Sequence, residues 1–393
     1  MMRLTTLRRA LGGVVLAMAW ACAFTLASCG GAGTDGTGPA ENSVNVGVLK
    51  GLAETSVTVN GVTYDSAAAT VLDGFGQAAG ADALRLGMWL EVTGHVDETS
   101  GAAVALTIRV RPASRGVVTA VDAGALTLTV LQSAARYADG VTVVDGTDGA
   151  AAIAPGDVVE VHGPLGAGAG AVEASRIERL AGGTDARKPV ELRGRVSALD
   201  TVARTLTVGR QPVHYDGAAL TLRQALANGQ VLRVSALAAP VGTRPWRVER
   251  MTSDQPLPED LSFVYAEGVT TDWATGPLFQ IEGVKVDASA ANNRGVITAD
   301  GQRVALIGAL VKGTLVAKSV TRSVPGQPVV FVLSGGVSSF HSLTDFRMRG
   351  VAIDAGAATL VGGLAAEVID GRRVKVTGSV SGRRLIASRL ELL

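Results

Sequence analysis

Cysteine is nearly missing from this chain: 393 residues contain two, Cys22 and Cys29, both within the first 29 positions. The residues beyond Cys29 can build neither a disulfide framework nor a thiolate metal site. Histidine is sparse too, with His95, His162, His214 and His341 scattered along the sequence, whereas zinc needs three or four converging ligands. Aromatic residues make up only 4%, which leaves few rings for a base-stacking surface. An excess of charge is lacking too. The formal net charge is +1, and setting aside Arg3, Arg8 and Arg9 takes the remainder to −2. Without a basic footprint, nucleic acid is excluded as an expected partner. Gly-x-Ser-x-Gly, His-Glu-x-x-His and Walker-type loops are also absent. The glycine–alanine run from Gly163 to Gly170 has no helix after it to receive a phosphate, and it reads as a hairpin loop.

What is present begins with an N-terminal address. Residues 1–9 hold three arginines and no acid, and residues 10–27 are apolar and mostly small. This is the form of a signal peptide. It ends in Leu26-Ala27-Ser28-Cys29, which resembles the lipobox of bacterial lipoproteins. Cys22 fits that pattern less well, because Trp20 stands where a small side chain is wanted. The expectation is a signal peptide over 1–28, a lipidated Cys29 and a Gly-rich tether over 29–43. An uncleaved anchor is the plain alternative, since the apolar run approaches the ~20 residues that span a bilayer. By resemblance to the sorting pattern of Gram-negative lipoproteins, Gly30 after the cysteine implies the outer membrane.

The remainder repeats itself five times. Gly-x-x followed by two apolar positions around a variable one begins at Gly87, Gly156, Gly229, Gly301 and Gly371. Upstream, a strand ends on an apolar residue and Asp65, Asp145, Asp216, Asp287 or Asp354. Each unit opens near Gly47, Gly116, Gly194, Gly268 or Gly336, and closes on a strand such as Ala105-Leu-Thr-Ile108. A turn glycine followed by period-two alternation marks a strand. The units run over 44–111, 114–181, 190–252, 263–322 and 331–393, with polar or proline-bearing joints at 182–189, 252–260 and 323–328. Five strands are expected per unit, with an irregular stretch between the third and fourth that has room for a helical turn. The fold class is therefore all-β: a tandem array of about five small OB-like five-stranded β-barrels. Barrels of ~60 residues are marginal alone, so neighbouring units are expected to pack on one another in part.

The G-x-V start, the apolar-Asp strand end, the Gly-x-x-V-x-V strand and the A-x-x-I close resemble the domain-of-unknown-function family 5666. The resemblance covers residues 44–393 and implies a fold, not a chemistry. Unit 3 departs from the pattern, with Ala236 in place of a glycine and Trp246-Arg-Val248 in place of small closing residues. Unit 1 carries a long insert at 66–85, and unit 2 is expanded at 131–141.

Few side chains point to chemistry. The recurring aspartates supply one acid per unit, too few for the six to eight oxygens of Ca²⁺, and read as Asx-turn caps. Trp89 is expected in the core. Trp246, flanked by Arg244 and Arg247, and Trp273, in a first loop, are the candidate ligand-binding rings. No metal ligand, cofactor or catalytic residue is expected. The expected function is a non-catalytic binding or scaffolding module of the cell envelope, held to the membrane by lipid, with an envelope protein or polysaccharide as partner. The alternative is an envelope enzyme acting on glycan through a site assembled from distant residues.

Overall fold

The computed structural model describes residues 41–145, 153–168, 170–180, 189–222, 224–242, 244–253, 259–274, 276–292, 297–324 and 326–393. The signal peptide, Cys29 and most of the tether lie outside them. So do most of the joints at 182–189 and 252–260, and part of the joint at 323–328.

Each unit is one cycle of antiparallel hairpins closed by a parallel step. Unit 4 shows it most simply, with strands Leu261–Thr271, Leu278–Ile281, Val284–Asp287, Arg303–Val311 and Thr314–Arg322. The first pairs with the second and the second with the third, both antiparallel. The third pairs parallel with the fifth, the fifth antiparallel with the fourth, and the fourth returns antiparallel to the first. The order 1-2-3-5-4-1 closes the sheet and is that of an OB-type barrel. Unit 1 repeats it with Ser43–Leu52, Ser56–Val59, Val62–Asp65, Trp89–Val96 and Ala103–Val110.

Two glycine positions make the repeat. The glycine before the fourth strand turns the chain with φ of 83° to 97° in all five units, at Gly87, Gly156, Gly229, Gly301 and Gly371, a region L side chains avoid. The second lies within the fourth strand. A Cβ added at Gly94, Gly308 or Gly378 would stand 2.0–2.2 Å from a carbonyl oxygen of the last strand. At this point the last strand carries one extra residue, a β-bulge. The bulge also explains the A-x-x-I spacing. Two residues three apart on a regular strand face opposite sides, yet Ala105 and Ile108 are both inside, as are Ala387 and Leu390. The last strand is divided in unit 2, into Ala171–Glu173 and Arg176–Arg179, and in unit 3, into Trp246–Arg247 and Arg250–Ser253, and Ala236 replaces the glycine only in unit 3. The stretch between its third and fourth strands holds a short strand, Ala219–Thr221, which pairs with the final piece. In units 1 and 5 that stretch includes a single 3₁₀ turn, Ala81–Ala83 and Ala365–Glu367.

The units interlock out of sequence order, which is where the structure departs from the sequence reading. The first strand of unit 1 pairs parallel with that of unit 4 (Val44 with Val264, Val46 with Ala266) and with that of unit 5 (Leu52 with Leu333). One apolar core runs through units 1, 4 and 5, and a second through units 2 and 3. The first strands of units 2 and 3 meet antiparallel, Arg115 opposite Glu191 and Ser114 opposite Leu192. A first strand shared in this way is buried on both faces, as Ser43–Leu52 is for nearly its whole length. Among the described residues, no helix is long and apolar enough to cross a membrane.

Candidate functional site

The antiparallel meeting of units 2 and 3 joins their barrels into one continuous sheet. Across it, residues stand opposite each other strand by strand: Glu178 faces Glu160, Glu160 faces Arg115, Arg115 faces Glu191, Glu191 faces Ser235 and Ser235 faces Arg250. Directly opposed residues share a sheet face, so six polar side chains form one row across six strands. All six line a cleft of about 720 Å³ where units 1, 2 and 3 meet. That volume falls in the range of small-molecule sites, ~300–1,000 Å³.

The opposite wall comes from the long insert of unit 1. Its strand Thr70–Leu72 is held parallel to the last strand of that unit. The loop after it is tied by Asp73, whose Oδ1 accepts from the backbone N–H of Phe75 and of Gln77, each at 2.9 Å. This Asx-type anchoring presents Phe75 to the cleft. The Arg233 guanidinium lies 5.7 Å from the Phe75 ring centroid. Its Nη1 donates to Glu191 at 3.1 Å and to the Pro112 carbonyl at 3.0 Å.

Charge on the floor is balanced. Arg115 lies 3.7 Å from Glu160, which also accepts at 3.0 Å from the His162 ring. Arg176, fully buried, holds Glu178 and Asp145. Burial pushes the Glu191 carboxyl up to about 7, with Arg233 pulling against it and Glu160 reinforcing it. Arg250 is exposed and makes no ion pair among the described residues, and Ser235 is 2% exposed.

The tryptophans stand elsewhere. Trp246, expected near the surface because of its flanking arginines, is 3% exposed. Strand alternation turns its ring into the core of units 2 and 3, where Nε1 donates to the Ala238 carbonyl at 2.8 Å. Trp273 is half-buried, packs on the core of units 1, 4 and 5, and donates to the Gly276 carbonyl at 3.0 Å. Trp89 is fully buried. Cys29 lies outside the described residues. Asp65, Asp287 and Asp354 each accept from the backbone N–H two residues on, as Asx caps do. Asp145 instead binds Arg176, and Asp216 lies 3.5 Å from Arg204. Among the described residues, no three His, Cys, Asp or Glu side chains gather as a metal site would require. His162 is buried between units 1 and 2, accepting from the backbone N–H of Trp89 at 3.4 Å.

The row across units 2 and 3 was absent from the sequence reading. A signal existed. The variable position between the two apolar residues of the fourth strand is Glu91, Glu160 or Arg233 in units 1 to 3, and Arg115 and Arg193 precede the opening glycines of units 2 and 3.

The family described as a domain of unknown function, DUF5666, matches residues 46–109, 115–178 and 193–244. The third match stops short of the divided last strand of unit 3. No curated protein matches the chain. A similar solved structure, "drosophila Unr CSD456", is 14% identical over 50% of this chain and 90% of its own, with a TM-score of 0.16. That score carries no argument, and the barrel assignment rests on the strand order above. Units 4 and 5 lie outside the matches yet repeat the same closed strand order. The three tandem matches identify units 1, 2 and 3 as members of the DUF5666 family of domains of unknown function.

Proposed function

We propose that this chain is an exported lipoprotein, anchored through Cys29 to the outer membrane of a Gram-negative bacterium. Its repeats serve there as a non-catalytic binding module of the cell envelope. The anchor is supported by the basic leader, the Leu26-Ala27-Ser28-Cys29 sequence and the Gly-rich tether. The binding role is carried by one observation: six polar residues from two units, faced by a loop from a third, line a single cleft.

A glycan-cleaving enzyme is the second reading. Glu160 and Glu191 flank Arg115 and are two strand spacings apart, about 9.6 Å, near the upper limit for an inverting carboxylate pair. Binding is favoured because both acids are engaged, Glu191 by Arg233 and Glu160 by Arg115 and His162. The test is recovery of envelope components on the full lipoprotein and on a Phe75→Ala/Arg250→Ala variant. A partner held by the wild type and lost from the variant supports the cleft. Identical recovery would rule the cleft out. Release of reducing sugar from envelope glycan that stops with Glu191→Gln would establish the enzyme instead.

A further inference from the structure

Resting on the cleft as a binding site, we propose that its ligand is a neutral, linear oligosaccharide laid across the six-residue row. Five inter-strand gaps of about 4.8 Å give the row a contour of about 24 Å, a track for an extended ligand rather than a pocket for one ring. Its chemistry is mixed in the way hydroxyl groups require. Glu178, Glu160 and Glu191 offer acceptor oxygens, Arg115 and Arg250 offer donors, and Ser235 offers both. Sugar hydroxyls donate and accept together, so each can match a carboxylate on one side and a guanidinium on the other.

Ser235 is the most buried member of the row. It is 2% exposed and lines the cleft. Phe75 adds an apolar surface for the C–H face of a sugar ring.

The charge balance separates this ligand from others. The row holds three carboxylates and two guanidiniums, and Arg176 and Arg233, two residues along from Glu178 and Ser235 on the same sheet face, pair with Glu178 and Glu191. A phosphate-bearing polymer would need a clear excess of cations. An extended peptide typically adds to a sheet edge or fills apolar pockets, and this surface is the polar face of a continuous sheet.

The experiment is calorimetry on the full lipoprotein in detergent with maltotetraose, cellotetraose and chitotetraose. A single-stranded thymidine oligomer and a mixed-sequence decapeptide serve as comparators. At least one tetraose should bind saturably, and the comparators should not. Arg250→Ala removes a charged donor that makes no ion pair, so it should weaken binding about tenfold with an unchanged thermal melt. Ser235→Ala should weaken it less. Silence with all three sugars, equal binding by Arg250→Ala, or saturation by the oligonucleotide or peptide overturns the proposal. If the sugars are silent while an envelope component is still captured in an Arg250-dependent way, the binding site stands and the saccharide assignment falls. If capture ignores Phe75 and Arg250 as well, the binding site falls with it.

Discussion

Arg193 and Arg233 stand directly opposite each other on paired strands of unit 3, at 1% and 2% exposure. Like charges in that position destabilise a ladder, and here each is drawn outward by its own carboxylate. Arg193 pairs with Glu282, which sits in the tight hairpin turn of unit 4 at φ 51°. Arg233 pairs with Glu191 and reaches the Pro112 carbonyl between units 1 and 2. Two arginines that would repel within one barrel thus fasten that barrel to its neighbours.

Cutting one of these ties should be costly. Glu282→Ala leaves Arg193 buried opposite Arg233, and a broken buried pair costs about 3–5 kcal/mol. Replacing both partners, as in Arg193→Met/Glu282→Leu, removes the uncompensated charge. Urea unfolding should therefore show the double variant more stable than Glu282→Ala alone. A double variant at least as damaged as the single one would contradict this.

The fourth-strand glycine gives a second expectation. Gly378→Ala places a methyl group 2.0 Å from the Ile386 carbonyl oxygen. Relieving such overpacking typically costs about 1–3 kcal/mol, read as a lower denaturation midpoint. Ala236→Gly in unit 3, where the last strand has already parted, should cost less than ~1 kcal/mol, the usual penalty for glycine in a strand. Equal losses at both positions would show that the close approach has no energetic weight.

Much of this fold was legible in the sequence. Period-two alternation, turn glycines and apolar-Asp strand ends gave five units and their strand order, because local rules govern how a hairpin turns and a strand alternates, except that in unit 2 Val144-Asp145 ends a short extra strand paired with Arg176–Arg179 and the third strand is Ser133–Arg136. The pairing of Val44 with Val264, or of Arg115 with Glu191, was not legible. Outward-facing strand residues look the same in sequence whether water or another barrel covers them. Trp246 shows the converse: flanking arginines suggested a surface ring, while the alternation that turns Arg247 out turns Trp246 in. The candidate site was missed for the same reason, since its six residues come from six strands and meet only through an inter-unit register.

Stability should fall with rising pH through the cleft. Glu191 titrates near 7 in the fold against an ordinary 4.5. Between those values the folded state binds more protons, so the contribution is full below 4.5 and is lost as pH rises through 7. The displacement corresponds to a contribution on the order of 3 kcal/mol. Glu267 acts in the opposite sense: burial pushes it up, but Arg303 and Lys50 outweigh that and hold it below its usual value. Its contribution is present above 4.5 and lost on acidification. Unfolding free energies of Glu191→Gln between pH 5 and 8 should lack the wild-type decline. A parallel decline in the variant would assign the effect to another group.

Lipidation is checked in cells. Labelled palmitate should enter the wild-type chain and be absent from Cys29→Ser, while Cys22→Ser should label normally. Equal labelling of Cys29→Ser would end the lipoprotein reading.

A ligand cleft assembled from units 1, 2 and 3 is tested most directly by amide hydrogen exchange on the full chain with and without a saturating neutral tetraose. Slower exchange is expected in the insert around Asp73–Gln77 and in the segments carrying Glu191, Ser235 and Arg250, with units 4 and 5 unchanged. Protection confined to units 4 and 5, or no change anywhere at saturation, would contradict it.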